Sequence, residues 1–176
     1  MHHDTMNTAQ KKTLLVVWHS RTGAASGMAR AAAEGARQVA AELQAQDQLN
    51  LVIKPAHEAQ ASDLIQADGM LFCAPENLGA LSGAMKEFFD RCYYDVLDRL
   101  NGRPYALLIS AGSDGSNAVR QAERICTGWR LTAIAPSYIA KMHAQTPEAI
   151  QAPKTLGEQD QEACKTIGGT LAALLL

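Results

Sequence analysis

Aromatic residues are scarce: two Trp, four Tyr and three Phe make up 5% of 176 residues. Small aliphatics, Ala above all, supply most of the 47% apolar content, which suits close packing between helices. Charge of one sign is lacking too. Sixteen basic and 18 acidic residues leave a net charge of −2. That removes the electrostatic case for nucleic acid, which needs a basic face. It also removes a strongly acidic docking surface. The four cysteines, Cys73, Cys92, Cys126 and Cys164, form no C-x-x-C pair and no zinc-ligand spacing, so no metal site is expected. Scattered thiols of this kind read as reduced, in a cytoplasm. No apolar run approaches the roughly 20 residues of a membrane span. The run Leu14 to Trp18 is too short for a signal-peptide core.

What is present is alternation. Residues 1–12 are set aside as a disordered tail, and residues 13–176 are expected to form one domain. Thr13 to Trp18 is a continuous apolar run, as in a strand buried on both faces. Met28, Ala32, Gly35, Val39 and Leu43 then recur on one helix face. Further strands are expected at Leu49–Ile53, stopped by Pro55, at Gly69–Ala74, stopped by Pro75, and at Tyr105–Ser110. A fifth is expected at Leu131–Ile139, irregular near Pro136 and opened by Trp129. Helices are expected at Ala59–Gln66, through Leu81, Met85, Phe88 and Cys92, through Ala118, Ala122 and Ile125, and through Cys164, Ile167, Leu171 and Leu174. Residues 141–156 carry two prolines and read as a loop. This order predicts an α/β domain with a parallel sheet and helices on both faces. Ligands then bind beyond the carboxyl ends of the strands, at residues 19–26, 75–83 and 110–117.

The first of these loops is His19-Ser20-Arg21-Thr22-Gly23-Ala24-Ala25-Ser26, before a long helix. The first amides of a helix have no internal partner, and with the helix dipole they favour an anion. Ser20, Thr22 and Ser26 add hydroxyls, Gly23 permits close approach, and Arg21 adds charge. Phosphate is the natural ligand; the plainer reading makes Ser20 or Thr22 an N-cap only. Several phosphate chemistries are excluded. No Lys follows Gly27 as Walker A requires, and G-x-G-x-x-G is absent. Pro75 stands where a receiver domain needs Asp, and the loop lacks the Cys of a low-molecular-weight tyrosine phosphatase.

Ser20 to Ala25 resembles the S-x-T-G-x-T phosphate loop of flavodoxin-like proteins. The segment Ala74-Pro75-Glu76-Asn77-Leu78-Gly79-Ala80-Leu81-Ser82-Gly83-Ala84-Met85-Lys86-Glu87-Phe88-Phe89-Asp90 resembles the second flavin loop and "GAMKxFxD" helix of NAD(P)H-dependent FMN reductases and related quinone reductases. Ser110-Ala111-Gly112-Ser113-Asp114-Gly115 resembles their third loop. The likeness spans roughly residues 13–140. It implies a three-layer αβα sandwich on a five-stranded parallel sheet of order 2-1-3-4-5. It implies FMN, with phosphate on Ser20 to Ser26 and the ring against Pro75, Glu76, Asn77, Leu78 and Gly79 and against Ser110, Ala111, Gly112, Ser113 and Gly115. Amides near Asn77 and Gly112 would bond the pyrimidine edge, and Leu78 would pack on the ring. NAD(P)H would be the co-substrate and a quinone or free flavin the small-molecule acceptor. A homo-dimer or homo-tetramer is implied as well.

The chain departs from the family at Ala25, where the phosphate loop ends in Thr, with Ser26 or Arg21 as compensation. It also lacks a Trp or Tyr placed to stack on a flavin, as electron-carrier flavodoxins have. His19 is read as structural or as a charge partner for phosphate, and Glu76 as meeting flavin or solvent. Asp114 is read as a turn residue and Cys73 and Cys126 as small buried apolar groups. Tyr93 and Tyr94 are read as an interface or as packing. No side chain is expected to act as a catalytic acid or base, because the cofactor carries hydride transfer. The leading expectation is an NAD(P)H-dependent FMN or quinone reductase. The alternatives are a flavodoxin-type electron carrier and a flavin-less binding module on the same fold.

Overall fold

A computed structural model describes residues 10–176. The first strand, β1 (Lys12–Trp18), keeps its apolar run buried, and its side chains divide by parity. Leu15 and Val17 enter one core and Leu14 and Val16 the other, because alternate strand residues face opposite sides. A long helix, α1 (Ala24–Glu42), follows, then a 3-10 turn and β2 (Leu49–Pro55). Next come α2 (Ala61–Gln66), β3 (Gly69–Asn77), β4 (Ala80–Leu81) and α3 (Gly83–Val96). The chain ends with β5 (Pro104–Ala111), α4 (Ser116–Gly128), β6 (Thr132–Ala133), β7 (Tyr138–Lys141), α5 (Pro147–Gln151) and α6 (Glu158–Leu175).

The sheet order is β2-β1-β3-β5-β6, with β7 also on β5 and β4 beside β3. Helices α1 and α6 pack on one face with Leu71, Cys73 and Leu108. Helices α2, α3 and α4 cover the other, over Met70, Phe72 and Ile109. This is the three-layer α/β sandwich, with the principal strands parallel. A fully buried Leu, Met or Phe contributes roughly 1.5–3 kcal/mol. The rings of Phe72 and Phe89 lie 5.2 Å apart, and those of Phe89 and Trp129 5.3 Å apart, filling the α3–α4 side. On the other side α1 and α6 touch backbone to backbone. A Cβ at Gly168 would fall 1.9 Å from the Ala32 carbonyl oxygen, so only glycine admits this approach.

Several expectations need correction. The sheet has seven strands among the described residues, not five. Its fifth position is split into β6 and β7, which leave Pro136 between them because proline cannot donate to a ladder. Strand β3 runs past Pro75 to Asn77. Pairing with β1 ends at Trp18 and Cys73, so the missing N–H of Pro75 faces no acceptor there. The carbonyl of Pro75 accepts from Ser82 N–H, 3.1 Å away. Leu81 belongs to β4 rather than to the helix, Leu43 is the exposed C-cap of α1, and Trp129 caps α4 instead of opening a strand. Residues 141–156 contain α5, capped by the Thr146 hydroxyl and started by Pro147 at its first position. Of the expected tail, residues 1–9 lie outside the described residues, and Lys12 is already in β1.

Candidate functional site

The three loops meet at the carboxyl ends of β1, β3 and β5, where helices α1, α3 and α4 begin. None of these helices carries an acidic residue in its first turn. Their amide ends and dipoles face one rim, and only the start of α4 has a carboxylate from elsewhere on it, that of Glu76 at the Gly115 N–H.

In the first loop Gly23 is the N-cap, at φ 106°, and no side chain caps the helix. The cap reading of Ser20 and Thr22 is therefore not what forms. Instead the Gly23 N–H donates to Ser20 Oγ at 3.1 Å, which bends the loop into the helix. Gly27 N–H donates to the Gly23 carbonyl, the first bond of the helical ladder. The amides of Ala24, Ala25 and Ser26 precede it and have no intrahelical acceptor. The side chains of Ala24 and Ala25 are buried, so these residues offer only backbone donors. Ser26 Oγ donates to the Gly23 carbonyl at 3.1 Å, which spends the hydroxyl expected to stand in for the missing Thr. Arg21 is exposed.

The second loop is a hairpin. Glu76 pairs with Leu81 and Asn77 with Ala80, joined through Leu78 and Gly79 at φ 53° and 72°. Two positive φ values are what a tight two-residue hairpin turn requires, and for Leu this is uncommon. Leu78 is 105% exposed at the tip. Glu76 is half-buried, and its carboxylate accepts from Gly115 N–H at 2.8 Å, tying the second loop to the third. Two residues of α4 brace the hairpin, Asn117 donating to the Gly79 carbonyl at 2.6 Å and Gln121 accepting from Leu81 N–H at 2.8 Å.

In the third loop Ser110 and Ala111 end β5 and are buried, while Ser113 and Asp114 are exposed. Asp114 accepts from the Ser116 hydroxyl at 2.7 Å, and Gly115 is the N-cap of α4 at φ 88°. Gly112 is required by close approach: a Cβ there would lie 2.7 Å from the Ala144 carbonyl oxygen. His19 joins the first loop to the second, its Nδ1 2.9 Å from the fully buried Ser82 Oγ. Burial, then Arg21 and His57, lower its pKa below the usual imidazole value, so it is neutral at pH 7. That favours the structural reading of His19.

All four cysteines are buried free thiols. Burial pushes the pKa of Cys92 up to about 11 and that of Cys164 up to about 12, which makes them unreactive. Tyr93 and Tyr94 are exposed at 46% and 79%, so they do not pack into the core. Among the described residues no three His, Cys, Asp or Glu side chains gather as a metal site would need. No helix is long and apolar enough to cross a membrane. A polar cavity of about 470 Å³ lies at the opposite, amino end of the sheet, beside Thr13, Gln66 and Asp68. It has no helix N-terminus pointing into it.

Sequence reasoning missed the supports. His19–Ser82, Asn117, Gln121 and Lys154, whose N–H donates to the Thr22 carbonyl at 2.7 Å, all bind across long sequence gaps. The polar pair Asn117 and Gln121, four apart on the face of α4 toward β4, was the one readable sign.

The loops fit a flavin mononucleotide in chemistry. Free amides and hydroxyls at the start of α1 suit a phosphate, and an exposed aliphatic tip beside close-approach glycines suits a flat ring. The family model for NADPH-dependent FMN reductase matches residues 46–146, more than half of the chain, beginning after the first loop. A flavodoxin from Aquifex aeolicus (strain VF5) is 29% identical over 164 residues, covering 90% of this chain and 84% of that protein. An NAD(P)H dehydrogenase (quinone) from Acidithiobacillus ferrooxidans is 35% identical over 91 residues, 44% of this chain and 46% of that one. Among solved structures, a WrbA-like flavodoxin from Agrobacterium tumefaciens superposes with a TM-score of 0.71 at 17% identity, over 94% of this chain and 98% of that one. It shows the same fold.

Proposed function

Because the chain belongs to the NADPH-dependent FMN reductase family, we propose that it binds FMN at residues 19–26, 75–83 and 110–117 and reduces a small acceptor, such as a quinone or free flavin, with NADPH or NADH. The observation that carries this reading is the convergence of three helix N-termini, free of first-turn acids, on one rim with the Leu78 hairpin. When bound, FMN supplies hydride transfer between nicotinamide and acceptor.

The chain's own residues bind, orient and insulate. The amides of Ala24, Ala25 and Ser26 and the hydroxyls of Ser20 and Thr22 hold the phosphate, and Arg21 contributes charge. Residues Pro75 to Gly79 and Ser110 to Gly115 flank the ring, with Leu78 as its aliphatic cover. Amides near Asn77 and Gly112 serve the pyrimidine edge, where oriented donors stabilise developing negative charge. Glu76, Asn117 and Gln121 keep these loops in register. No side-chain acid or base takes part. Residues 13–176 act as one unit, in the cytoplasm, as a dimer or tetramer with the exposed Tyr93–Tyr94 edge as contact surface.

The flavodoxin likeness over 90% of the chain favours a second reading, an electron carrier. The near-neutral charge and the aliphatic Leu78 in place of a stacking aromatic count against it. The test is the visible spectrum of the protein titrated with FMN, then treated anaerobically with NADPH or NADH. Bound flavin that bleaches with either nucleotide is the expected result. Bound flavin that stays oxidised with both supports the carrier. No spectral shift and no retention on desalting overturn both flavin readings and leave the flavin-less module.

A further inference from the structure

Residues 142–156 belong to the stretch 141–156 that reads as a loop in the sequence, yet they run from the third site loop to the first. At one end Met142 N–H donates to the Ala111 carbonyl at 2.7 Å, and Ala144 N–H to the Gly112 carbonyl at 3.2 Å. At the other end Lys154 N–H donates to the Thr22 carbonyl at 2.7 Å. The Lys154 carbonyl oxygen lies where a Gly23 Cβ would come within 3.1 Å, and Leu156 sits 3.4 Å from the corresponding position at Gly27. The Lys154 side chain closes the segment on itself. Its Nζ donates to the carbonyls of Ala149, Ile150 and Ala152 at 2.6, 3.1 and 2.6 Å. Two of these are last-turn carbonyls of α5, the groups that a helix C-terminus leaves without partners. A cation there also opposes the negative end of the helix. Lys154 is thus bonded through its ammonium to α5 and through its backbone to the phosphate loop.

We propose that Lys154 is a positioning residue for the phosphate loop, holding Thr22 and Gly23 so that the amides of Ala24, Ala25 and Ser26 converge. This inference rests on the FMN reading given above. It acts through backbone geometry, so it concerns the phosphate and not the ring. FMN and riboflavin differ only by that phosphate, and the pair separates a local effect from a general loosening.

The test is the affinity of Lys154→Met, Lys154→Arg and wild type for FMN and for riboflavin, with amide hydrogen exchange on the flavin-free proteins. Lys154→Met is expected to raise the FMN dissociation constant about tenfold and to leave riboflavin within about twofold of wild type. Lys154→Arg, which keeps the cation, is expected to restore most of the FMN affinity. Exchange at Gly23 and Gly27 is expected to quicken about tenfold in Lys154→Met, with mid-helix Ala36 unchanged. Equal losses for both flavins, or no loss, overturn the proposal, as do unchanged exchange rates. If wild type binds neither flavin, the FMN reading falls by itself and the exchange rates decide whether Lys154 holds the loop. Should Lys154→Met fail to fold, Thr146→Ala, which removes the N-cap of α5, is expected to move both readouts in the same direction, and no change in either overturns the proposal.

Discussion

Replacing Glu76 by Ala tests the contact that joins the second and third loops. The carboxylate accepts from Gly115 N–H at 2.8 Å, at the first residue before α4, and Gly115 is buried. Two costs add on substitution. A hydrogen bond to a charged group contributes about 1.5–3 kcal/mol, and its loss leaves a buried donor without an acceptor. A negative charge at a helix start contributes about 0.3–1 kcal/mol more. Glu76→Ala is therefore expected to destabilise the flavin-free protein by about 2–4 kcal/mol. For a chain of this size that lowers Tm by about 4–16 °C. Glu76→Gln keeps an acceptor and loses the charge, so its cost is expected to be roughly 1 kcal/mol. Urea and thermal unfolding followed by circular dichroism measure both. A loss below about 0.5 kcal/mol for Glu76→Ala, or an equal loss for Gln and Ala, would falsify the idea that this bond locks the two loops.

Ser20→Ala removes a hydroxyl that the FMN reading places on the phosphate, and with it the acceptor of the Gly23 N–H, and is expected to weaken FMN binding roughly tenfold or more; isothermal titration reads it, and unchanged binding sinks the assignment of this loop to phosphate. Gly168→Ala places a Cβ 1.9 Å from a backbone oxygen of α1, which no side-chain motion relieves, so it is expected to cost about 3 kcal/mol or more; a wild-type melting curve would contradict the close α1–α6 approach. The folded pKa of His19 lies below its usual value of 6.5 because of burial, then Arg21 and His57. The unfolded chain thus takes up the proton first, and the stability that depends on neutral His19 is present above pH 6.5 and lost as pH falls below it. The gap in unfolding free energy between wild type and His19→Asn should narrow from pH 7.5 to pH 5.5; a gap that stays constant with pH argues against the buried, neutral histidine.

The fold class was readable because burial on both faces leaves a local signature. Leu14 to Val17 form a continuous apolar run, and Met28, Ala32 and Gly35 mark a helix stripe, each without reference to the rest of the chain. The three loops were readable for a related reason: a strand followed by Gly and hydroxyl residues and then a helix is a local pattern. Pro75 misled, because a proline stops a central strand only where a neighbour needs its N–H, and β1 has already ended at that point. Short β4 and α5 escaped, as did the division of the fifth strand into β6 and β7, because elements of two to five residues show no periodicity. Ser26 looked like a spare donor until its hydroxyl was found bonded to Gly23.

Order along the chain, burial and the chemical character of each loop were thus determined by the sequence, since they depend on neighbours within one or two turns. The partner of each polar group in the site was decided only by tertiary structure. Glu76 meets Gly115, His19 meets Ser82, and Lys154 meets Thr22 across separations that carry no periodic trace. Such pairings arise when packing of the layers brings distant backbone to one rim, and a buried donor or acceptor there must find whichever group the fold places within reach.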